Sequence, residues 1–338
     1  MLADRFEAEL AVLEEKLARA KRVLVTSPGA ADGDSIGAQL ALRRMLLHRY
    51  PQLEIHIVND EPLPARYRFL PDVALVETPE SFAGAGKWPA FDVAIIVDGG
   101  IDRAGRVREP FDRAPFQVFI DHHAVSIEYP YSLRIVDADA SATTEIIYHL
   151  CQSPRFRTPV GPELAQQIYL GLVFDTGFFR HSSTTPESME LAALLLRAGF
   201  DFTRVGERGM LERTFAGLQL LADTLARAKL AAGGKIIWSA LLQERLKHFG
   251  ALEDEREGII DHLFLTQGIQ VAVFFVELAG GNTKVSFRSQ GKLDVARFAR
   301  GLTEHGGGHV KAAGALLELP MARAIELVLA KLETQLRD

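Results

Sequence analysis

The sequence predicts an α/β fold: an N-terminal, mostly parallel sheet flanked by helices, with a smaller α/β domain following it. Three observations point there. Short β-branched runs alternate with helical periodicity through the first half. The most apolar run, Val93–Val97 (VAIIV), has no polar face, as a strand covered on both sides requires. Beyond Pro186 the alternation gives way to a Leu- and Ala-rich helical stretch reaching about Ala228, and Gly233 and Gly234 break it before strands resume.

The elements follow in order. Leu2, Phe6, Leu10, Leu13 and Leu17 recur at helical spacing and predict an opening amphipathic helix. Arg22–Ser27 (RVLVTS) reads as a buried strand. Ser35–Tyr50 reads as a helix, with Ile36, Leu40 and Leu47 on one side and Arg43 turned away. Leu53–Val58, Val73–Val76, Val93–Val97 and Phe116–Ile120 are expected strands, and Thr144–Cys151 and Glu163–Val173 expected helices. In the second half, Ile236–Leu241, Val271–Val276 and Thr283–Phe287 read as strands. A turn at Ala279-Gly-Gly-Asn282 joins the last two. Leu293–Leu302 and Met321–Leu336 read as helices. The expected division is a domain over 1–190, a helical connector over 191–228 and a second domain over 229–338.

Composition narrows the function classes. With 48% hydrophobic and 24% charged residues, a sizeable core can form. A net charge of −6 gives little general attraction to long nucleic acids, whose binding is driven by phosphate neutralisation. A nucleic-acid partner is therefore expected to be short, or held in a local basic pocket, and not a long duplex. The single cysteine, Cys151, excludes an intrachain disulfide and a zinc site built from several thiolates. It follows the mostly apolar run Ile146–Leu150 and is expected to fill core space. Asp4, Glu7, Glu9, Glu14 and Glu15 interrupt the N-terminus, so it does not read as a signal peptide. No run approaches the length of a membrane span. A cytoplasmic setting away from membranes is expected, and a homodimer is compatible with it.

Four segments carry the chemistry. In Asp32-Gly-Asp34 two carboxylates flank a glycine and can splay toward two neighbouring ions, although an Asp-Gly turn alone would look the same. Asp98 closes the apolar run VAIIV, where an acid is costly to bury without a partner; a cap or turn acid is the plainer alternative. Asp121-His122-His123 follows another buried run. Adjacent histidines point in different directions, so one can bind a metal while the other faces a substrate. Asp175-Thr-Gly177 alone would pass for a turn. Together they nominate Asp32, Asp34, Asp98, His122 and Asp175 as metal ligands. Such an oxygen-rich set suits Mn²⁺ or Mg²⁺. Two ions about 4 Å apart would clamp a phosphate and activate a water for in-line attack. In the second domain, Gly306-Gly-Gly308 before His309 suits close approach of backbone amides to an anion, and Arg288 suits bidentate phosphate recognition. A flexible loop and a surface arginine are the plainer alternatives.

Five motifs in order, ADGDSIGA at Ala31–Ala38, VDGG at Val97–Gly100, DHH at Asp121–His123, DTGFF at Asp175–Phe179 and GGGHVKAAG at Gly306–Gly314, resemble the DHH phosphoesterase family in the branch with a C-terminal DHHA1 domain. Within it, the chain looks like the nanoRNases, oligoribonucleases that also dephosphorylate 3′-phosphoadenosine 5′-phosphate. The resemblance implies that Asp32 binds a first Mn²⁺ and Asp34 a second, that Asp98 bridges them, and that His122 and Asp175 complete the second site. It implies that His123 stabilises charge at the scissile phosphate, that Asp121 orients the histidine pair, and that Arg288, Gly307, Gly308 and His309 hold the substrate. The chain departs from the family at Pro28, where a metal-binding histidine is usual. Ser27, Thr26 or water would have to fill that gap, and a weaker first site is expected. His305 is expected to be exposed; His48, His56, His149, His181, His248 and His262 match no ligand position.

Three readings follow. The first is hydrolysis of short oligoribonucleotides or 3′-phosphoadenosine 5′-phosphate. The second is hydrolysis of cyclic dinucleotides or their linear products. The third is a nucleotide-binding module whose catalysis is impaired by Pro28.

Overall fold

The computed structural model describes residues 5–29, 31–83, 88–123 and 129–336. Leu2 lies outside the described residues. The chain divides into two compact units, Met1–Glu212 and Arg213–Asp338.

The first unit is built on six parallel strands: β1 (Arg22–Thr26), β2 (Glu54–Val58), β3 (Val76–Glu77), β4 (Val93–Val97), β5 (Gln117–Asp121) and β6 (Leu133–Val136). Their order is β3-β2-β1-β4-β5-β6. Every residue of β4 is buried, as its unbroken apolar run predicts. One sheet face packs under α1 (Glu7–Arg19), α2 (Gly33–Arg49), α3 (Thr143–Gln152) and α4 (Pro162–Asp175). The other contributes Leu24, Ala94, Ile96 and Phe119 to a second cluster with Phe111 and Val107.

Leu10, Leu13 and Leu17 of α1 are fully buried, at the spacing that predicts the helix. The helix expected at Ser35–Tyr50 is more deeply placed than a one-sided stripe suggests. Ala38, Ala41, Leu42, Met45 and Leu46 are buried as well as Ile36 and Leu40, because α2 packs between the sheet and both α3 and α4. The strand expected at Val73–Val76 shrinks to β3, because Asp72 takes a left-handed turn and Val73–Leu75 forms a single 3₁₀ turn. The strand expected at Phe116–Ile120 runs one residue later, so Asp121 is its last residue. Cys151 is buried in the core, as expected, and burial pushes its thiol up to about 12. Among the described residues no helix is long and apolar enough to cross a membrane.

Past the motifs, α5 (Pro186–Leu196) and the short helix Phe202–Gly206 pack into the first unit through Leu191, Leu195 and Val205. The next helix, α6 (Phe215–Ala226), packs into the second through Leu220 and Leu221.

The second unit holds β7 (Lys229–Ala231), β8 (Ile236–Leu241), β9 (Val271–Glu277), β10 (Thr283–Ser289), β11 (Gly306–His309) and β12 (Ala312–Leu317). Their order is β11-β12-β10-β9-β8-β7, parallel only between β8 and β9. Both faces are covered, which is why Val271–Val276 is apolar without alternation. Val271, Val273 and Phe275 join a core with α9 (Val295–Arg300) and α10 (Met321–Gln335). Ala272, Phe274 and Val276 join another with α6, α7 (Gln243–Phe249) and α8 (Ile259–Phe264).

Candidate metal centre

The chain adds β2 and β3 on one side of β1, then returns to add β4, β5 and β6 on the other. At such a reversal the loops leaving neighbouring strands diverge and open a crevice beyond the carboxyl ends. Asp32 follows β1, Asp98 follows β4 and Asp121 ends β5, so three of the four acid motifs open onto that crevice. The fourth acid, Asp175, is the last residue of α4.

Asp34 sits fully buried in the first turn of α2. Its Oδ2 accepts from the Thr143 amide at 2.6 Å, and its Oδ1 from the Thr144 amide at 3.0 Å and hydroxyl at 2.7 Å. These are N-terminal donors of α3, whose own N-cap Ala142 supplies no side-chain bond. A carboxylate from one helix therefore caps another. Close packing of α4 depends on Gly171, where a Cβ would collide with Asp34 Oδ1 and Thr144 Oγ1.

Asp98 turns the chain sharply out of β4, with φ +61°, and Gly99 continues the turn at φ +120°. Aspartate visits this left-handed region more readily than bulkier residues. The turn leaves Asp98 buried, with Oδ2 accepting from Ser35 Oγ at 2.5 Å and Oδ1 from Thr143 Oγ1 at 3.3 Å.

His122 is also buried, with Nδ1 3.3 Å from the Ala140 carbonyl. A carbonyl only accepts, so Nδ1 carries the proton and a neutral ring presents a bare Nε2. That nitrogen lies 2.9 Å from Asp175 Oδ2 and 3.9 Å from Asp98 Oδ1. One ligand atom each from Asp34, Asp98, His122 and Asp175 lies within 4.8 Å of all the others. Asp98, Asp121, His122 and His123 form an overlapping group by the same measure. Asp121 Oδ1 accepts from His123 Nδ1 at 2.7 Å and from the His123 amide at 3.2 Å. Asp121 thus fixes one ring of the pair, and a backbone carbonyl the other.

The first-site candidate, Asp32, belongs to neither group. It is the N-cap of α2, and its Oδ1 accepts from the Asp34 and Ser35 amides, each at 3.0 Å. Ser27, which precedes Pro28 in the chain, is turned to a buried amide network. Its amide donates to Asn59 Oδ1 at 3.2 Å, and the Asn59 and Gln39 side chains bond reciprocally at 2.6 and 3.0 Å. The Thr26 hydroxyl donates to the Ser27 carbonyl. The Ser27 hydroxyl faces the same Asn59 oxygen, at 3.4 Å.

Crowded acids dominate the electrostatics. Burial raises the Asp98 carboxyl well above its ordinary value, and the charges of Asp32, Asp34, Asp175 and Asp121 push it further. Burial also raises Asp175, to about 6, with Asp34 adding to it. Burial raises Asp32, although the Ser35 amide offsets part of the shift. Burial alone would lower His122; the Asp175 carboxylate outweighs it and pushes the ring up to about 10. Burial would raise Asp121, but the His123 hydrogen bond keeps it below its ordinary value. Asp175 Oδ2 is a buried oxygen that accepts no hydrogen bond of normal geometry among the described residues. A divalent cation would answer both the crowding and this oxygen, and the carboxylate–imidazole set fits Mn²⁺ or Mg²⁺.

Three hydroxyl residues that hold the acids, Ser35, Thr143 and Thr144, escaped the sequence reading. Ser35 stood directly behind Asp34; the threonines sit in the run SATTE, whose only local signal is a helix start. His181, given no role from sequence, lies close over Gly177, with Nδ1 3.0 Å from the Asp175 carbonyl.

In the second unit, Arg288 and His309 both stand opposite Ala312, on β10 and β11 to either side of β12. Directly opposed residues share a sheet face, so both project the same way. Arg288 Nε donates to Asp261 Oδ1 at 3.0 Å. The glycines form strand β11 where a loop was the plainer expectation. A Cβ at Gly306 would collide with the Ala299 carbonyl, and one at Gly308, where φ is +129°, would come within 2.6 Å of the Ala312 carbonyl; Gly307 faces open space.

Residues 22–172 match the DHH family, N-terminal domain, and residues 233–338 match the DHHA1 domain. The chain is 29% identical over 307 residues to the bifunctional oligoribonuclease and PAP phosphatase NrnA of Thermus thermophilus, covering 90% of this chain and 87% of that protein. It is 29% identical over 289 residues to the protein of the same description from Bacillus subtilis, covering 84% and 85%. An exopolyphosphatase-related protein from Bacteroides fragilis shares the fold, with a TM-score of 0.84, 22% identity and 98% of each chain covered.

Proposed function

The chain belongs to the DHH phosphoesterase family, in its DHHA1-bearing branch, and we propose that it hydrolyses short oligoribonucleotides and 3′-phosphoadenosine 5′-phosphate with two divalent metal ions. The observation that carries this reading is the convergence of Asp34, Asp98, His122 and Asp175 within 4.8 Å at the carboxyl edge of the parallel sheet.

Asp34, Asp98, His122 and Asp175 would hold one ion, and Asp32 with Asp98 the other. When bound, the ions supply the positive charge that polarises the phosphoryl group and acidifies an attacking water. His123, its Nδ1 committed to Asp121, addresses a phosphoryl oxygen through Nε2 and stabilises the charge that develops there. Asp121 holds that ring in one orientation. Arg288, Gly307, Gly308 and His309 are assigned to the nucleotide part of the substrate. The oxygen-rich ligand set suits Mn²⁺ or Mg²⁺, and the family resemblance favours Mn²⁺.

The test is turnover of di- to pentanucleotide RNA, 3′-phosphoadenosine 5′-phosphate and cyclic dinucleotides by metal-stripped protein with Mn²⁺ added back. Hydrolysis of the first two substrate classes is expected. Preference for cyclic dinucleotides would redirect the substrate assignment. No hydrolysis at millimolar Mn²⁺ would mean a nucleotide-binding module and overturn the enzyme reading.

A further inference from the structure

Arg103 lies in none of the motifs. It ends the short 3₁₀ turn Ile101–Arg103, which folds the chain back after Asp98 and Gly99. Its carbonyl accepts from the Gly29 amide at 2.7 Å, tying this turn to the segment that carries Pro28. Its guanidinium lies over Gly99: a Cβ there would come within 2.6 Å of Arg103 Nη2 and 2.8 Å of Pro28 Cγ. Glycine with φ +120° therefore lets a cation and the Pro28 ring close on the backbone next to Asp98.

The charge is uncommitted. Among the described residues the Arg103 side chain makes no hydrogen bond and no ion pair, and the residue is exposed. Arg106, three residues on, is tied to Asp60 and Glu80. An unpaired arginine over the backbone that directly follows Asp98 presents its donors to another anion. A guanidinium fits phosphoryl oxygens in a bidentate fork.

We propose that Arg103 is a substrate-contacting residue that binds a phosphoryl oxygen on the Pro28 side of the centre. There the proposed first ion has one imidazole fewer to hold it. The Arg103 cation supplies part of the positive charge that a tightly held ion would have provided. This inference rests on the phosphoesterase reading for its substrate, but not for its binding test.

The experiment compares the full-length wild type with Arg103→Ala and Arg103→Lys, each loaded with Mn²⁺. Calorimetric binding of AMP, a phosphate monoester, is measured beside steady-state hydrolysis of 3′-phosphoadenosine 5′-phosphate. Arg103→Ala should weaken AMP binding about tenfold and lower kcat/KM about a hundredfold, the scale of losing one donor to a charged oxygen. Lysine should restore part of both. The Mn²⁺ concentration for half-maximal AMP binding should stay level or fall, because a neighbouring cation is gone. Equal AMP binding by wild type and Arg103→Ala overturns the proposal, as does a wild type that binds no AMP. A raised Mn²⁺ requirement with unchanged KM also overturns it, since Arg103 would then only shape the metal site. A wild type that binds AMP through Arg103 but hydrolyses nothing leaves this inference standing and removes the phosphoesterase reading.

Discussion

The two halves of the acid cluster are built to different standards. On one side Asp34, His122 and Asp175 stand beside Asp98, and each is gripped by a neighbouring element: Asp34 by the start of α3, His122 by Ala140, and Asp175 through its carbonyl by His181 and Ser183. On the other side Asp32 joins no ligand group among the described residues, with one of its oxygens committed to the start of α2 and Pro28 in place of an imidazole. Pre-organised ligands bind metal tightly because little must be reordered. On the proposed two-ion reading, the comparison predicts one firm ion and one exchangeable ion, with Asp98 serving both.

The largest test removes the shared residue. Asp98→Asn should lower kcat by about 10³-fold or more, since an essential group is lost to both ions. The metal-free variant should melt higher than the metal-free wild type, because crowding among the acids is relieved. A variant that loses activity and also melts lower would mean that Asp98 is mainly structural.

Next comes pH. Asp32, Asp98 and Asp175 have folded-state values above the ordinary 3.8, and His122 lies at about 10 against 6.5. All four make the folded state hold protons that the unfolded state has released, so metal-free stability falls as pH rises. For Asp175 the loss runs from about pH 4 to 6, and for His122 from about 6.5 to 10. Bound metal favours the deprotonated acids and the bare imidazole, reversing the trend. The melting gap between Mn²⁺-loaded and chelated protein should widen by about 5 °C between pH 5 and pH 8. A constant gap would sink this account of the cluster.

A smaller effect is expected at the weak side. Pro28→His should lower the Mn²⁺ needed for half-maximal turnover about tenfold, in line with ligand-sphere changes elsewhere. An unchanged requirement would show that the two sides are equally strong as they stand. The smallest effect is on the firm side. Thr144→Val removes a hydroxyl from Asp34, which should cost about 1 kcal/mol in denaturant unfolding and a few-fold in Mn²⁺ affinity. If the requirement is untouched while stability falls, the capping bond serves the fold alone.

Much of this was legible in the sequence, for physical reasons. Val93–Val97 and Val271–Val276 announced themselves because strands covered on both faces carry unbroken apolar runs. The acid motifs were legible because burying Asp98 behind such a run calls for a partner. What escaped was of two kinds. Elements without a pattern were missed: β6 (LRIV) is short, and β11 and β12 are built largely from glycine and alanine, which signal neither strand nor face. Contacts set by tertiary packing were missed too. Nothing local tells Thr143 and Thr144 that a carboxylate from more than a hundred positions earlier will cap their helix, or pairs Arg288 with Asp261.

The buried Cys151 side chain gives the molecule a built-in reporter. It is the chain's sole sulfhydryl, shielded in the layer formed by α2, α3 and α4 and held protonated. Alkylating reagents attack the thiolate, so the native protein should be inert to them and need no cysteine-free background. Any labelling that occurs counts opening of that helical layer, the same layer that carries Asp34 and Asp175. Adding metal should slow the labelling clock, giving ion binding a chemical readout that needs no substrate at all.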